Sequence, residues 1–161
     1  MVKFKIIAVG KIKEKFYKDA CEEYIKRLNL YSKTEVTEIS EYKCLSDKPS
    51  PVEIDNILIN EGKSIISAIP KNYAIIPMCI EGKKQSSLEF SQLINNFTVN
   101  GYAGICFIIG SSYGLSSEVK SISDFKLSMS DMTFPHMLAR VMLLEQIYRS
   151  MNILNNGKYH K

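Results

Sequence analysis

The sequence is poor in the features that build disulfide frameworks, metal sites and membrane spans. Its four cysteines, at positions 21, 44, 79 and 106, form no CxxC pair and have no histidine close by in sequence, which argues against a disulfide framework and a zinc site. No apolar run is long enough for the core of a signal peptide or for a transmembrane helix. We therefore expect a soluble cytoplasmic protein with reduced thiols, no bound metal and no membrane contact.

Arginine is also scarce, because the positive charge comes from 18 lysines and only three arginines, with a net charge of +4. This charge permits a nucleic-acid partner without requiring one. The first 33 residues contain nine basic and four acidic residues, a mixture that is typical of a solvated helix face. Two arginines, Arg140 and Arg149, lie in one C-terminal segment. Since a planar guanidinium group pairs with phosphate and carboxylate groups in a way that lysine cannot, they indicate anion recognition.

The hydrophobic pattern predicts alternating strands and helices in one domain that spans residues 1–161. The stretch "GICFIIG" (104–110) is apolar throughout, as in a parallel strand covered on both faces. Pro77 cannot donate to a strand ladder and predicts an irregularity in the strand around it. We expect an α/β fold with a mostly parallel sheet flanked by helices. The predicted strands are 2–9, 34–40, 73–80, 104–110 and 124–130, and the predicted helices are 14–31, 51–68, 86–97, 115–120 and a long one from about 135.

The last predicted helix is apolar around most of its circumference. That surface exceeds the stripe that one sheet can cover, and in a small domain the usual partner for such a surface is a second copy of the chain. We therefore predict a homodimer through this helix. Its apolar residues are Met137, Leu138, Val141, Met142, Leu143, Leu144, Ile147, Tyr148, Met151 and Leu154.

The stretch "FIIGSSYGLS" (107–116) leads from a buried strand to a helix start through Gly110 and Gly114. Taken alone it is an ordinary strand-to-helix turn, and it matches neither the GxGxxG dinucleotide motif nor a phosphate-binding P-loop. Two further junctions, "PMCIEGKKQSS" (77–87) and "MSDMTFPHM" (129–137), follow the third and fifth strands. Because the carboxyl ends of parallel strands meet at one sheet edge, we expect the three loops to form one pocket.

The stretches "FIIGSSYGLS", "MTFPHMLARVMLLEQIYRSMNIL" (132–154) and the terminal "YHK" closely resemble the ribosomal RNA large subunit methyltransferase H family, a branch of the SPOUT (α/β-knot) class. The similarity runs from "KFKIIAVGKIKEKFY" (3–17) to the last residue. The resemblance implies a deep C-terminal trefoil knot and a homodimer in which the tail of one subunit covers the pocket of its partner. It also implies methyl transfer from S-adenosylmethionine to N3 of a pseudouridine in 23S ribosomal RNA, with the assembled ribosome as the expected substrate.

The same resemblance places the cofactor against the three loops. Two positions depart from the family pattern: Ser111 stands where a second glycine is usual, and Cys79 stands where an acidic residue is usual. A serine side chain narrows the space for a close backbone approach. The cofactor-binding residues that the resemblance implies are Met78, Gly110, Ser111, Ser130, Asp131, Met132, Thr133, Phe134 and Pro135.

The RNA-facing residues that the resemblance implies are concentrated in the last helix and the tail. Glu145 and His160 are the candidate catalytic groups for removing the N3 proton. Without the resemblance, Glu145 and Arg149 would be an ordinary i,i+4 ion pair and the tail a frayed end. The implied residues are His136, Arg140, Glu145, Arg149, Tyr159, His160 and Lys161.

Two other functions are open at this point. A non-catalytic RNA-binding dimer would use the basic N-terminal region and the tail, and its loops would be plain turns. A flavodoxin-like nucleotide protein is less well supported, because no tryptophan and no phosphate-cradling loop follow the first strand.

Overall fold

The computed structural model describes residues 1–161, and its elements alternate between strand and helix along the chain. The strands are β1 (Val2–Val9), β2 (Ser32–Ile39), β3 (Tyr73–Lys84), β4 (Gly104–Ile109) and β5 (Leu127–Ser128), and the helices are α1 (Lys15–Leu28), α2 (Pro51–Ala68), α3 (Ser87–Val99), α4 (Ser117–Ser121) and α5 (His136–Leu154).

The five strands form one sheet in the order β2-β1-β4-β3-β5, and every neighbouring pair is parallel. The predicted α/β fold with a mostly parallel sheet is therefore confirmed. The trefoil knot implied by the family resemblance stays a prediction.

Side chains alternate between two apolar layers, one on each face of the sheet. Phe4 and Phe107 point into the layer that contains α1, α3 and α5, whereas Ile7 and Ile108 point into the layer under α2 and α4. All of β4 is buried, as its continuous apolar sequence predicts for a central parallel strand.

The helix starts are set by local sequence. Ser50 and Glu53 form a capping box at α2, and Ser86 and Glu89 form a second one at α3. Pro51 occupies the first turn of α2, where its missing N–H is not needed. The predicted bounds of α2 are confirmed.

Other predicted bounds are wrong by a few residues. Helix α1 ends at Leu28 and the fifth strand contains only Leu127 and Ser128. The last helix, predicted from about 135, stops at Leu154, and Asn156 takes the left-handed conformation with φ of 56°. Gly157 allows a close approach, because a Cβ there would collide with the Asn152 side chain.

The apolar surface of α5 is mostly covered within the chain. Helices α1 and α3 flank α5 on the same side of the sheet, and Leu144 and Ile147 are completely buried. The premise that one sheet alone must cover α5 was therefore wrong. Leu138 and Met142 remain half-buried on the outer side of the helix.

None of the five helices combines the length and the hydrophobicity that a membrane-spanning helix requires.

Candidate cofactor and RNA site

A cavity of about 750 Å³ opens at the carboxyl edge of the sheet. Most of its walls come from three segments: 78–81 in β3, 109–115 from the end of β4, and most of 127–136 around β5; Lys120 and Ala139 complete the lining. The structure thus brings the three predicted loops together in one pocket. The predicted cofactor residues in its lining are Met78, Gly110, Ser111, Ser130, Met132, Thr133, Phe134 and Pro135.

The turn at 110–114 is tightly closed. The Gly114 N–H donates to the Ser111 carbonyl at 2.9 Å, and Gly114 has a φ of +88° that favours glycine. A Cβ at Gly110 would collide with the Gly114 carbonyl. Gly110 is therefore required by the turn itself, in addition to any space that a ligand needs.

The segment after β5 is held by its own serines. The Ser128 hydroxyl donates to the Ser130 carbonyl at 3.1 Å, and the Ser130 hydroxyl accepts from the Met132 N–H at 3.1 Å. Thr133, Phe134 and the side chain of Met132, which is 72% exposed, then reach the cavity. The apolar and polar groups together suit a ligand that has both an aromatic ring and hydrogen-bonding edges.

Asp131 is the exception among the predicted cofactor residues. Its carboxylate accepts from Lys84 Nζ at 2.5 Å, and its side chain is 80% exposed. It does not line the cavity. The structure therefore gives Asp131 a surface ion pair in place of the expected cofactor contact.

Sequence reasoning missed two charged residues of the cavity. Glu81 and Lys120 both line it and form an ion pair, and the hydrogen bond from Lys120 lowers the pKa of Glu81. Glu81 directly follows the predicted third strand, which was a usable signal, whereas nothing in the sequence distinguished Lys120. Cys79 lines the same wall, and burial raises the pKa of its thiol.

His136 stands where the cavity meets α5. It lines the cavity, and its Nε2 atom lies 3.8 Å from Glu41 Oε1. That nitrogen is buried without a hydrogen-bond partner. His136 thus borders the cavity, but its Nε2 atom is buried beside the Glu41 carboxylate and is not exposed to a substrate.

Glu145, Arg149 and Tyr159 form a connected cluster on α5. Glu145 Oε1 accepts from Arg149 Nη2 at 2.5 Å and from the Tyr159 hydroxyl at 3.0 Å. The other carboxylate oxygen accepts from Gln146 at 2.7 Å. Because both oxygens are already hydrogen-bonded, Glu145 is placed to orient Arg149 and Tyr159, and it is a poor candidate for the expected catalytic base.

The C-terminal tail folds back onto α5 and does not fray. The Tyr159 N–H donates to Asn152 at 2.9 Å, its ring packs against Tyr148 at 4.8 Å between centroids, and Arg149 lies 4.6 Å above it. The alternative interpretation of the tail as a frayed end is therefore wrong. His160 Nδ1 lies 3.4 Å from Arg149, and Lys161 is exposed.

Arg140 does not face solvent as an RNA contact would. Its side chain is 3% exposed, and it donates to Glu38 at 2.7 Å and to the Gly10 carbonyl at 2.9 Å. A guanidinium buried in this way needs these partners to offset the loss of water. The structure thus gives Arg140 an interior role that joins α5 to β2 and to the end of β1.

The cavity and the tail cluster are far apart in one chain. His136 begins α5, and Arg149 lies near its end. At a rise of about 1.5 Å per residue, the two are separated by roughly 20 Å. His160, which lies beside Arg149, is therefore remote from His136 of its own chain.

The structure contains no group of three or more His, Cys, Asp or Glu side chains that could hold a metal ion.

Comparison with known proteins gives one consistent result. A family model described as "Predicted SPOUT methyltransferase" matches residues 2–160. The ribosomal RNA large subunit methyltransferase H of Clostridium botulinum is 48% identical over 156 residues, which are 97% of this chain and 98% of that protein. Ribosomal RNA large subunit methyltransferase H 1 of Clostridium perfringens is 47% identical, with the same coverage.

Among solved structures, a "probable methylase family protein" from Haemophilus influenzae aligns with a TM-score of 0.53 and 9% identity, and the alignment covers 99% of this chain and 70% of that one. This similarity supports the fold alone. The family-model match and the sequence relationships identify the chain as a member of the SPOUT methyltransferases, in the ribosomal RNA large subunit methyltransferase H family.

Proposed function

We propose that this protein is a homodimeric methyltransferase that uses S-adenosylmethionine to methylate N3 of a pseudouridine in 23S ribosomal RNA. The observation that carries the proposal is the cavity made by three loops at one sheet edge, lined by nearly all the residues expected to bind the cofactor. Its family membership supports the reaction class.

The cavity fits the cofactor in size and chemistry. Its volume of about 750 Å³ lies within the usual range of roughly 300–1,000 Å³ for small-molecule sites. Met78, Ile109 and Phe134 offer apolar surface for an adenine ring, and the backbone of the 110–114 turn offers N–H and C=O groups for its polar edge. When bound there, S-adenosylmethionine supplies a methyl group already activated by the positive sulfonium.

A second subunit would complete the site. Because His160 lies beside Arg149, about 15 Å along α5 from the cavity residue Ala139, we expect the tail to reach a cofactor across a dimer interface. Leu138, Met142, Glu145 and Arg149 follow one another at spacings of four, three and four along α5 and share one face. That face combines half-buried apolar residues with the tail cluster, so dimerisation through it would bring the tail to the partner's cavity.

The protein's own residues have limited chemistry to perform. The acceptor N3 must face the methyl group in line with the bond to sulfur, and holding that geometry supplies most of the rate. The residues that line the cavity would hold S-adenosylmethionine so that its methyl group could pass to N3, with S-adenosylhomocysteine as the other product. The N3 proton passes to a base, for which His160 of the tail is the candidate, while His136, Arg149 and Lys161 bind the RNA.

The decisive experiment uses labelled S-adenosylmethionine with free 23S RNA, 50S subunits and 70S ribosomes in parallel, followed by mapping of the modified nucleotide. Ala139→Leu should abolish transfer, because Ala139 lines the cavity and a larger side chain there fills the space for the cofactor. Ala68→Leu, at the far end of α2, is the matched control.

A non-catalytic RNA-binding protein would bind ribosomes without binding S-adenosylhomocysteine in a calorimetric titration. That result, or a modified atom other than pseudouridine N3, would contradict the proposal.

A further inference from the structure

Glu61 is a buried carboxyl group that the proposed reaction does not use. It lies on α2, with a relative exposure of 3%, although burying a carboxylate is unfavourable unless it is hydrogen-bonded. Its Oε1 accepts from the Tyr42 N–H at 3.1 Å, and its Oε2 accepts from the Ser111 hydroxyl at 3.0 Å. Each oxygen therefore holds a different segment of the chain.

The bond to Ser111 reaches the wall of the cavity. Ser111 is 8% exposed and belongs to the 110–114 turn. Glu61 is the only side chain that forms a hydrogen bond with that turn. This bond therefore ties the turn to α2, beside the apolar packing of the adjacent Leu115 in the same layer as Ile65 of α2.

The bond from the Tyr42 N–H holds a segment that lies next to His136, a residue of the cavity lining. Glu41, the preceding residue, lies 3.8 Å from His136 and also beside Gly10. Glu61 thus joins α2 to the 110–114 turn through Ser111. It also joins α2 to Tyr42, which follows Glu41, the residue beside His136.

We propose that Glu61 is a positioning residue for the cofactor, which acts through Ser111 to hold the 110–114 turn in its binding shape. The inference rests on the proposed binding of S-adenosylmethionine in this cavity. A Glu61 that only stabilised the fold would change the stability of the protein and leave cofactor affinity alone.

Glu61→Leu removes both hydrogen bonds at similar side-chain size. We expect the Kd for S-adenosylhomocysteine and the KM for S-adenosylmethionine to rise about tenfold or more, which corresponds to about 1.4 kcal/mol. The kcat at saturating cofactor should change little, because Glu61 does not touch the reacting atoms. Glu61→Gln should restore affinity, since its Oε1 can accept from Tyr42 and its Nε2 can donate to the Ser111 oxygen.

Ser111→Ala tests whether Glu61 acts through Ser111. It breaks the hydrogen bond between Glu61 and the turn and leaves the hydrogen bond between Glu61 and Tyr42. We expect weaker cofactor binding in this variant. In the double variant the two effects on Kd should be clearly less than multiplicative, because both substitutions remove the same contact.

Unchanged cofactor affinity in Ser111→Ala would overturn the inference. If circular dichroism shows that Glu61→Leu does not fold, Ser111→Ala is sufficient by itself to test the inference. Fully multiplicative effects would also overturn the proposed route. The Ala139→Leu variant distinguishes a failure of the inference about Glu61 from a failure of the proposed function. If Ala139→Leu loses cofactor while the Glu61 and Ser111 variants bind normally, only the role of Glu61 is wrong. If all three variants bind normally, the cavity is not the cofactor site.

Discussion

Arg140 on α5 and Glu38 on β2 are joined by a 2.7 Å ion pair, although they lie 102 positions apart in the sequence. The Gly10 carbonyl at the end of β1 accepts a second bond from the same guanidinium. This interior arrangement connects the long helix to the two strands at the far side of the sheet from β5. Arg140 thus stabilises the fold, although it lies on a helix that contains several candidate RNA-binding residues.

Arg140→Leu should therefore destabilise the protein. We expect a loss of about 1.5–3 kcal/mol in the free energy of unfolding, the usual range for hydrogen bonds that involve a charged group. Urea denaturation monitored by circular dichroism measures it. A variant of wild-type stability with a reduced salt dependence of RNA binding would show that Arg140 contacts phosphate.

Deleting residues 158–161 should lower stability, because it removes the Tyr159 ring from Tyr148 and the Tyr159 hydroxyl from Glu145. We expect about 1–3 kcal/mol from the aromatic pair and the hydrogen bonds. The double variant His160→Ala/Lys161→Ala retains Tyr159 and should keep wild-type stability while methyl transfer falls. Equal thermal and urea stability of the deletion and the full chain would mean that the tail is free in solution.

Leu138→Lys/Met142→Lys should convert a dimer into a folded monomer, because the two side chains are half-buried on the outer face of α5. Lysine at Leu144 or Ile147 would be uninformative, since both are completely buried and the chain itself would unfold. Sedimentation velocity measures the change, with Val52→Lys on α2 as the exposed control. A wild-type protein that sediments as a monomer would contradict the dimer.

Glu61→Gln should change how stability depends on pH. Burial raises the pKa of Glu61, so the folded state holds the proton more tightly than the unfolded chain, in which glutamate titrates near ~4.3. The free energy of unfolding of the wild type therefore falls as pH rises from about 4.3 through the raised pKa. Urea denaturation at a series of pH values should show the variant gaining stability relative to the wild type across that window, and a constant difference would contradict it.

Cys79 should report on cofactor binding. It lines the cavity, so saturating S-adenosylhomocysteine should slow its alkylation by iodoacetamide, whereas Cys44, outside the cavity, should be unaffected. Cys21 and Cys106 should stay unmodified at pH 8 in the native protein, because burial raises their pKa to about 11 and about 12. Mass spectrometry of peptides measures all four thiols, and an unprotected Cys79 would count against the proposed pocket.

Local sequence patterns predicted most of what is local in this structure. Apolar alternation predicted β1, Pro51 predicted the start of α2, and the shared edge of parallel strands predicted a three-loop cavity. Such local patterns could not predict contacts between residues that are distant in the sequence. The pairing of Arg140 with Glu38 and the packing of Tyr159 on Tyr148 depend on which elements become neighbours in space. The same holds for Glu61, which looks like any polar helix position until Ser111 is placed beside it.

The path of β3 has a further consequence. Its pairing with β4 runs from Tyr73 to Pro77, and beyond a register shift after Met78 its only sheet partner is the two-residue β5. The half that pairs with β4 belongs to the buried core, but the half that walls the cavity has few cross-strand bonds. Amide protons from residues 78–84 should therefore exchange with solvent far faster than those of 73–76, so that the cavity wall can open while the core stays closed.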